Sequence, residues 1–418
     1  MRRLSRAAEP LGVCGMEAVS TGKTTTAPVV AATTCPFDHH DPSLTGDVLG
    51  GVYDQMRAAG PLTWSESYGG FWMLTGYDDV RMVESDATTY SSAQGVFVPR
   101  VEGQPLSVAL EQDPPEHTPF HKLYNDLLSR PKVVAAEPMI RELAVHHVGA
   151  FVERGGGEFM AEVAAKLPVE VISHMVGLPP EISSQLRELS EDAWKDRFGE
   201  PGTNPQKMGH LMMGEAMRRL AEPSDDFLTS LVQTQIDGRP IDPFEVVSFL
   251  LGAAIAGHET TMNGAGNLCY ELAIDGDLQE RVRADRTLVP AVIDETLRLR
   301  APVQNFFRIV TRDHDLHGQT LRVGDRVMLV YGAANHDPTA FADPDRLSLD
   351  RGANRHLSFG WGIHRCPGAY LAQVELRHLT DQLLDGPPFE LGGDVVFGHM
   401  ESGGTFLGIR SLPIRFRT

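Results

Sequence analysis

The sequence predicts a mostly α-helical fold, and three observations support this prediction. Most of the chain after residue 40 has a helical pattern, broken at intervals by Gly and Pro. One continuous helical segment, at residues 243–274, is long enough to cross a large domain. Strand-like segments are short and lie near residues 319–331 and 405–416. With 418 residues and a hydrophobic content of 42%, the chain can bury a sizeable core.

Residues 1–40 are predicted to form a flexible N-terminal tail, because they are rich in Ala, Thr and Val without periodicity. The chain carries 37 basic and 56 acidic residues, a formal net charge of −19, which argues against general nucleic-acid binding. Its four cysteines are scattered, with no CxxC pair, so neither a disulfide framework nor a zinc or iron–sulfur site is expected. We find neither an apolar run of membrane-spanning length nor a secretory signal, and we expect a cytoplasmic protein with no membrane anchor.

The long helical segment has signals at both ends. Asp242 is suited to cap its N-terminus, Pro243 to fill its first position, and Glu245 has the spacing of a capping box. Asp275, followed by Gly, supplies the stop. At about 1.5 Å per residue the helix spans roughly 48 Å. Its middle, LLGAAIAG at residues 250–257, is apolar on every face, which predicts a buried central helix.

Shorter elements follow the central helix. A helix is predicted near residues 288–299, and QTLRVGDRVMLVY at residues 319–331 predicts a hairpin that turns at Gly324 and the following Asp. Pro, Gly and Asp crowd residues 336–354, which indicates an irregular but ordered segment. The last predicted elements are a helix at residues 367–384, ended by Gly386, and short strands at 405–416.

The decapeptide FGWGIHRCPG at residues 359–368 carries the strongest chemical signal. Gly360 and Gly362 allow a tight loop that turns backbone amides inward. A thiolate at Cys366 would need such donors, and the helix that opens after Pro367 favours the negative charge further. A cysteine ligand to haem iron requires this combination. The alternative is a buried structural cysteine in a glycine-rich turn.

This decapeptide resembles the haem-binding loop of the cytochrome P450 family, FGxGxHxCxG, and it fills every fixed position. The resemblance implies that Cys366 is the axial ligand of a haem b iron, that Phe359 packs beside the sulfur and that His364 reaches a haem propionate. The loop residues implied to contact the haem are Phe359, Gly360, His364, Cys366 and Gly368. The implied fold is a large helical domain with a small β-rich lobe, formed by residues 41–418.

A second motif, AGHETT at residues 256–261, interrupts the apolar middle of the central helix. Glu259 and Thr260 are polar where apolar residues are expected, and a threonine hydroxyl can bond to a backbone carbonyl and open a local gap. The two could also be a satisfied polar pair on a helix face. The motif resembles the family's oxygen-binding groove, in which Thr260 would hold dioxygen and its water while Glu259 relays protons.

Glu295 and Arg298 lie three residues apart on a predicted helix, where they can form an ion pair. Their position before the irregular segment resembles the family's ExxR motif, and Arg346 is the best match for the arginine that this pair holds. The implied role is structural, since the three residues would lock the loop that presents Cys366.

Cations fix carboxylates, so basic residues are expected around the two haem propionates. Arg308 stands where the family has a propionate-binding arginine, and Asp113-Pro-Pro-Glu-His117-Thr resembles the family's helix-opening motif, which implies His117 as another partner. Four residues later the family usually has an arginine, whereas this chain has His121. A histidine is shorter and need not be charged at neutral pH, so haem retention or potential is expected to differ from the family norm.

The resemblance implies a monooxygenase that inserts one oxygen atom from O2 into a hydrophobic small molecule, by hydroxylation or oxidative dealkylation. The chain has no flavin or iron–sulfur motif, so a separate ferredoxin or flavodoxin-type donor with its reductase is expected to supply electrons. The positions that resemble pocket-lining sites are all apolar: Val96, Phe97, Val98, Ile255, Phe306, Phe307 and Phe406. Some basic residues, each of which could equally be ordinary solvated surface, could form a docking patch for the donor: Lys122, Arg130, Lys132, Arg355 and Arg365.

Three other functions stay open at this point. A peroxide-driven haem oxygenase would not need the pair Glu259 and Thr260. A haem-binding carrier or gas sensor would do no chemistry. In a structural protein without haem, Cys366 would simply be buried.

Overall fold

The structure is a computed structural model, and it describes residues 37–46, 48–100, 106–193, 203–399 and 404–417. Residues 1–36 of the predicted tail therefore lie outside the described residues. The last four residues of that predicted tail are packed: Phe37 and His39 are buried. The Nε2 atoms of His39 and His40 lie 2.8 Å and 2.6 Å from the carbonyl oxygen of Val98.

Helices make up most of the described chain. Their bounds are α1 (Leu49–Ala59), α2 (Tyr77–Ser85), α3 (His117–Leu127), α4 (Arg130–Glu153), α5 (Leu167–Val176), α6 (Pro180–Ala193), α7 (Thr203–Ala221), α8 (Phe227–Val232), α9 (Pro243–Ile274), α10 (Gly276–Ala284), α11 (Val289–Leu299), α12 (Tyr331–Asn335) and α13 (Ala369–Asp385). Within the described ranges, no helix is both long and apolar enough to cross a membrane. The predicted helix near 288–299 is confirmed as α11, and the one at 367–384 as α13.

The strands are short. Their bounds are β1 (Leu62–Ser65), β2 (Phe71–Leu74), β3 (Tyr90–Ser91), β4 (Gly156–Glu158), β5 (Gln235–Ile236), β6 (Arg239–Pro240), β7 (Asn305–Val310), β8 (His314–Leu316), β9 (Gln319–Leu321), β10 (Arg326–Val330), β11 (Phe389–Leu391), β12 (Val396–His399), β13 (Leu407–Ser411) and β14 (Pro413–Phe416). The largest sheet has the order β1-β2-β10-β7-β3. The predicted fold class, mostly α with small sheets, is confirmed, as are the predicted strands near the C-terminus.

The central helix α9 is the longest helix of the described chain and has the predicted bounds. The Asp242 carboxylate accepts from the Phe244 N–H at 2.8 Å, and the Asp242 N–H donates to Glu245 Oε2 at 2.9 Å, which completes the capping box. Buried residues lie on several faces of the helix, since α5, α7, α11 and α13 all pack around it. This environment explains why its middle is apolar all round.

The predicted hairpin at residues 319–331 is wrong. The turn at Gly324 exists, with φ of +93°, but the strands on its two sides join different sheets. β9 pairs with β8, whereas β10 lies between β2, to which it is parallel, and β7, to which it is antiparallel. The run Val327–Val330 is buried on both faces. A strand covered on both faces belongs inside a larger packed sheet, whereas an isolated two-stranded hairpin leaves a face in solvent.

Candidate active site

The loop that carries Cys366 lies between the irregular segment and α13. The Cys366 N–H donates to the carbonyl oxygen of Phe359 at 2.8 Å, which closes the loop. Gly360 and Gly362 both have φ of +65°. A Cβ on Gly362 would lie 2.1 Å from the backbone oxygen of Glu84, so only glycine fits there. The loop is therefore pressed against the last turn of α2.

The Cys366 sulfur is surrounded by groups that favour its anion. Burial raises the pKa of the Cys366 thiol, while the backbone N–H of Gly368, the guanidinium of Arg365 and the N–H of Ala369 oppose that rise. The two N–H groups lie at the start of α13, where the helix dipole also favours negative charge. A sulfur ligand with amide donors behind it suits haem iron.

Three histidines come together beside this loop. The ring centroid of His117, the first residue of α3, lies 4.7 Å from that of His121 and 4.6 Å from that of His364. Burial, then the nearby His121, lowers the pKa of His117 to about 4. Burial, then the charge of Arg308, lowers the pKa of His364 to about 2. Among the described residues, the buried Nε2 atom of His117 has no hydrogen-bond partner, which indicates a place for a polar ligand.

His121 uses both ring nitrogens within the protein. Asn125 Nδ2 donates to His121 Nδ1 at 3.1 Å, so Nε2 carries the proton and points at the Arg365 carbonyl oxygen, 3.4 Å away. The His121 ring also stacks on His117, with 28° between the planes. His121 is thus less available to a haem propionate than His117, whose Nε2 has no partner among the described residues. An open concavity of about 400 Å³ is lined by His121, Asn125, Arg365, Cys366, Pro367 and Tyr370, among others.

Arg308 lies on β7 and is only 3% exposed. Its Nη1 donates to the carbonyl oxygen of Phe307 at 2.9 Å, and its Nη2 donates to Glu84 Oε1 at 3.1 Å. The positive charge of Arg308 contributes to the lowered pKa of His364, so the two side chains belong to the same site. A guanidinium has five N–H donors, so these two bonds leave others for an anionic ligand.

Glu259 and Thr260 lie in the middle of α9. The Thr260 hydroxyl donates to the carbonyl oxygen of Ala256 at 2.8 Å, the type of bond that opens a gap in a helix. Ala256 is exposed although the middle of α9 is mostly buried, whereas Glu259 is only 3% exposed. A buried carboxyl one residue from a hydroxyl in a partly exposed turn can hold a proton or pass it on.

The structure brings three of the predicted pocket residues together. The ring centroid of Phe97 lies 5.5 Å from that of Phe306 and 6.3 Å from that of Phe406. Val96, next to Phe97, is buried, and Ile255 is half-buried on α9, four residues before Glu259. The three aromatic rings form an apolar surface suited to a hydrophobic ligand.

Phe307 and Val98, by contrast, pack in the core. Phe307 is fully buried with Phe71 and Met328, and Val98 belongs to the same cluster. Successive side chains of a strand point to opposite faces, so Phe306 shares a face with Arg308 while Phe307 faces the other way. The prediction that Phe307 lines the pocket with Phe306 is therefore corrected, and Val98 lies in the same core cluster as Phe307.

The predicted ion pair of Glu295 and Arg298 forms and is buried. Arg298 Nε donates to Glu295 Oε1 at 2.7 Å, and Arg298 also donates to the backbone oxygens of Asn335, Pro344 and Arg346. The predicted third member, Arg346, is wrong, because only its carbonyl takes part. Arg351 fills that place: its Nε donates to Glu295 Oε1 at 2.9 Å.

Comparison with known proteins decides the family. A family model described as Cytochrome P450 matches residues 211–390. The steroid C26-monooxygenase of Mycolicibacterium smegmatis is 32% identical over 343 residues, which cover 80% of this chain and 84% of that protein. This chain belongs to the cytochrome P450 family.

Two further comparisons agree with this membership. Cyclomarin C epoxidase CymV of Salinispora arenicola is 32% identical over 366 residues, which cover 83% of this chain and 90% of that protein. The crystal structure of CYP108D1 from Novosphingobium aromaticivorans superposes with a TM-score of 0.80 at 30% identity, covering 88% of this chain and 94% of that chain. The predicted P450 fold is confirmed, and the protein is a cytochrome P450 monooxygenase, an oxidoreductase.

Members of the cytochrome P450 family bind haem through a cysteine thiolate, and the residues of this chain fit that group. The sulfur of Cys366 has the amide donors that a thiolate ligand requires. The buried Nε2 of His117, with no partner in the described part of the chain, and the remaining donors of Arg308 suit a propionate.

Two buried carboxylates of this P450 were missed by the sequence reasoning. Glu84 bonds to Arg308, and Glu111 Oε1 accepts from the N–H of Val96 at 3.1 Å. A signal existed for Glu84, because Val80, Val83 and Glu84 follow the spacing of one helix face, which places the carboxyl on the apolar side of α2. We find no comparable signal for Glu111, which lies in a loop.

Proposed function

We propose that this cytochrome P450 inserts one oxygen atom from dioxygen into a hydrophobic small molecule, by hydroxylation or oxidative dealkylation. Electrons come from a separate ferredoxin or flavodoxin-type donor with its reductase. Haem b, when bound, supplies the activation of dioxygen at its iron. The observation that carries the proposal is the buried Glu259 carboxyl next to the Thr260 hydroxyl, on a helix that packs against α13.

Glu259 and Thr260 divide the handling of protons. Thr260 Oγ1 donates its own proton to the Ala256 carbonyl oxygen, 2.8 Å away. The lone pairs of Oγ1 can therefore accept a hydrogen bond from a water molecule. The Glu259 carboxyl, buried in the same turn, can pass a proton toward such a water. A positioned acid of this kind accounts for about a hundredfold in rate or more.

The residues around the cysteine loop would hold the haem. Cys366 would supply the sulfur ligand to the haem iron, with Phe359, Gly360 and Gly368 around it, as the family motif implies. Arg308 and the rings of His117 and His364 would hold the propionates. His121 would act less directly, because its ring stacks on His117 and its Nε2 points at the Arg365 carbonyl oxygen.

The substrate is proposed to be hydrophobic. Phe97, Phe306 and Phe406 offer three aromatic rings, and Val96 and Ile255 add aliphatic surface. Aromatic and aliphatic linings favour ligands that gain by leaving water. The names of the relatives include a steroid C26-monooxygenase, so steroids are one class that we propose to test.

The electron donor is proposed to dock at the concavity on the cysteine side. His121, Arg365 and Tyr370 line it, and the guanidinium of Arg130 lies 5.1 Å from the centre of the Tyr370 ring. The basic residues proposed for the patch, all exposed, are Lys122, Arg130, Lys132, Arg355 and Arg365. In a chain with net charge −19, a local basic surface would favour an acidic donor.

The test combines spectroscopy with turnover. The reduced protein with carbon monoxide should show the thiolate-shifted Soret band, and Cys366→Ala should remove it. With dioxygen, a surrogate ferredoxin and its reductase, Thr260→Ala should lower product formed per electron by about tenfold or more, with the electrons appearing in hydrogen peroxide. Thr234→Ala is the matched control, because Thr234 makes the same 2.8 Å bond to the carbonyl four residues earlier, on the surface.

Three other outcomes would point elsewhere. Product formed with hydrogen peroxide but not with dioxygen and the donor would favour a peroxide-driven enzyme. A bound haem without the thiolate-shifted band would favour a carrier or sensor. Purified protein that takes up no haem would favour a structural role for Cys366.

A further inference from the structure

We propose that Glu84 is a positioning residue for the haem: it holds Arg308 toward a propionate and ties the cysteine loop to α2. This inference rests on the proposed function, since it assumes a haem held by Cys366 and Arg308. It concerns a residue outside every motif that the sequence suggested. Three hydrogen bonds meet at its carboxylate.

The Glu84 carboxylate lies at the meeting point of four separate parts of the chain. It is the penultimate residue of α2 and is 4% exposed. Its Oε1 accepts from Arg308 Nη2 at 3.1 Å and from the Tyr331 hydroxyl at 2.5 Å. Its Oε2 accepts from the backbone N–H of Trp361, inside the cysteine loop. One side chain therefore joins β7, α12 and that loop.

All three partners of Glu84 are donors, so the arrangement complements a carboxylate. Burial raises the pKa of Glu84, and Arg308, Tyr331 and the Trp361 N–H act against that rise. A buried ion pair is costly to desolvate, and removal of one partner leaves an uncompensated charge. A purely structural ion pair would not need to include Arg308, the arginine that is proposed to bind a propionate. Glu84 binds that arginine and the ligand loop together.

The cysteine loop depends on the same turn of α2. A Cβ on Gly362 would lie 2.1 Å from the Glu84 backbone oxygen, and one on Gly360 would lie 3.4 Å from Glu84 Oε2. Both glycines are thus in contact with this one residue. Any shift of the Glu84 side chain is transmitted to the Trp361 N–H, five residues before Cys366. The Glu84 carboxylate can therefore influence both Arg308 and the loop that carries Cys366.

Two consequences follow for the bound haem. Glu84 sets the plane of the Arg308 guanidinium, because the Phe307 carbonyl oxygen and the Glu84 carboxylate engage two of its arms. The negative charge of Glu84 also offsets the positive charge of Arg308. Reduction adds an electron to the haem, so a nearby negative charge lowers the reduction potential. Glu84 should therefore slow haem loss and lower the potential.

Two substitutions separate charge from position. Glu84→Gln removes the charge but keeps the side-chain length, and we expect a higher reduction potential by potentiometric titration. Transfer of its haem to apomyoglobin should be on the order of tenfold faster. Glu84→Asp keeps the charge but shortens the reach. We therefore expect faster haem transfer with little change in potential.

A double-mutant cycle tests whether Glu84 acts through Arg308. In an Arg308→Gln background, Glu84→Gln should add little to the rate of haem transfer, because the arginine that it positions is gone. Glu271→Gln is the matched control, since Glu271 pairs with Arg300 Nε at 2.5 Å in another part of the molecule. Glu271→Gln should leave the potential and the haem-transfer rate unchanged.

The outcomes distinguish this inference from the proposed function. Wild-type protein without the thiolate-shifted band would remove the proposed haem site itself. Wild-type protein with that band, but unchanged potential and haem transfer in Glu84→Gln, would overturn the role of Glu84 alone. Equal effects of Glu84→Gln with and without Arg308 would do the same. If Glu84→Gln does not fold, the haem-transfer rate of Glu84→Asp decides, and an unchanged rate overturns the proposal.

Discussion

The role of a single residue in the cytochrome P450 site depends on which neighbours its side chain contacts. Phe306 and Phe307 are adjacent and chemically identical, yet one lies beside Phe97 and the other is fully buried in the core. Glu84 and Glu259 are both buried carboxyls, but Glu84 binds an arginine of another element, whereas Glu259 lies next to Thr260 in the middle of α9. Residue type alone does not distinguish the two members of each pair, whereas the neighbours of each side chain do.

Phe306 and Phe307 give a test of this difference. Phe307→Ala should lower the free energy of unfolding by about 3 to 5 kcal/mol, because it empties a fully buried site. Phe306→Ala should cost less stability and weaken the binding of hydrophobic ligands, measured as a spin-state change in the haem spectrum. A larger effect of Phe307→Ala than of Phe306→Ala on ligand affinity, at unchanged stability, would contradict the assignment.

Among the elements, α9 and the irregular segment at residues 336–354 position the residues of the site. α9 spans the core and carries Glu259 and Thr260 at its midpoint. The irregular segment is held largely by two arginines: Arg298 of α11 and Arg351, which lies within the segment, donate to several of its backbone oxygens. A regular helix satisfies its backbone by its own ladder of hydrogen bonds, whereas many backbone oxygens of this segment depend on these side chains.

The N-terminus of α9 is expected to depend on its cap. Asp242→Ala should lower the free energy of unfolding by about 1 kcal/mol, because the Phe244 N–H loses its acceptor. Asp242→Asn should stay within a few tenths of a kcal/mol of wild type, since asparagine also caps well. Chemical denaturation of the three proteins measures both values. An equal loss in both variants would show that charge rather than capping matters.

Two nearby arginines of the irregular segment should behave differently. Arg351→Ala removes a cation from the buried Glu295 carboxylate and should cost about 3 kcal/mol, with reduced haem content after purification. Arg346→Ala should change stability by less than about 0.5 kcal/mol, because its exposed side chain is not used and its carbonyl remains. The reverse order in denaturation and haem content would restore Arg346 as the third member.

At the scale of the whole molecule, buried charges join elements that are distant in sequence. Glu84 connects α2 to β7, and Glu295 connects α11 to the irregular segment. Because both carboxylates are buried, each is stable only while its donors stay in place. Two buried ionic centres thus support the proposed haem site. The Glu84 centre binds the arginine of β7, and the Glu295 centre lies behind the cysteine loop.

The Glu295 centre predicts a dependence of stability on pH. Burial raises the pKa of Glu295, but hydrogen bonds from Arg298 and the Ser348 N–H outweigh it, and the net pKa lies below its ordinary value of 4.5. A carboxyl with a lowered pKa stabilises the fold above pH 4.5 and loses that contribution as the pH falls through the folded pKa. Glu295→Gln should therefore be less stable than wild type at pH 7, and the gap should narrow in acid. Urea unfolding across this range measures the gap, and a constant gap would contradict the assignment.

Features that depend on residues close together in the chain could be predicted from the sequence. The bounds and capping box of α9, the helix α11 and the ion pair of Glu295 with Arg298 follow from spacing within one helix. The cysteine loop was also readable, because its glycines and the helix after it are contiguous. In each case the interacting groups lie within a few residues, so the pattern is visible in the chain.

Contacts between distant segments are visible only in the folded structure. There β10 pairs with β2 and not with β9, Arg351 rather than Arg346 binds Glu295, and Phe307 packs in the core. Glu84 also binds Arg308, 224 residues away. Such contacts depend on which surfaces meet after the chain has folded, and local spacing carries no record of that meeting. The cysteine loop could therefore be predicted from sequence, whereas the contact of Glu84 with that loop and with Arg308 could not.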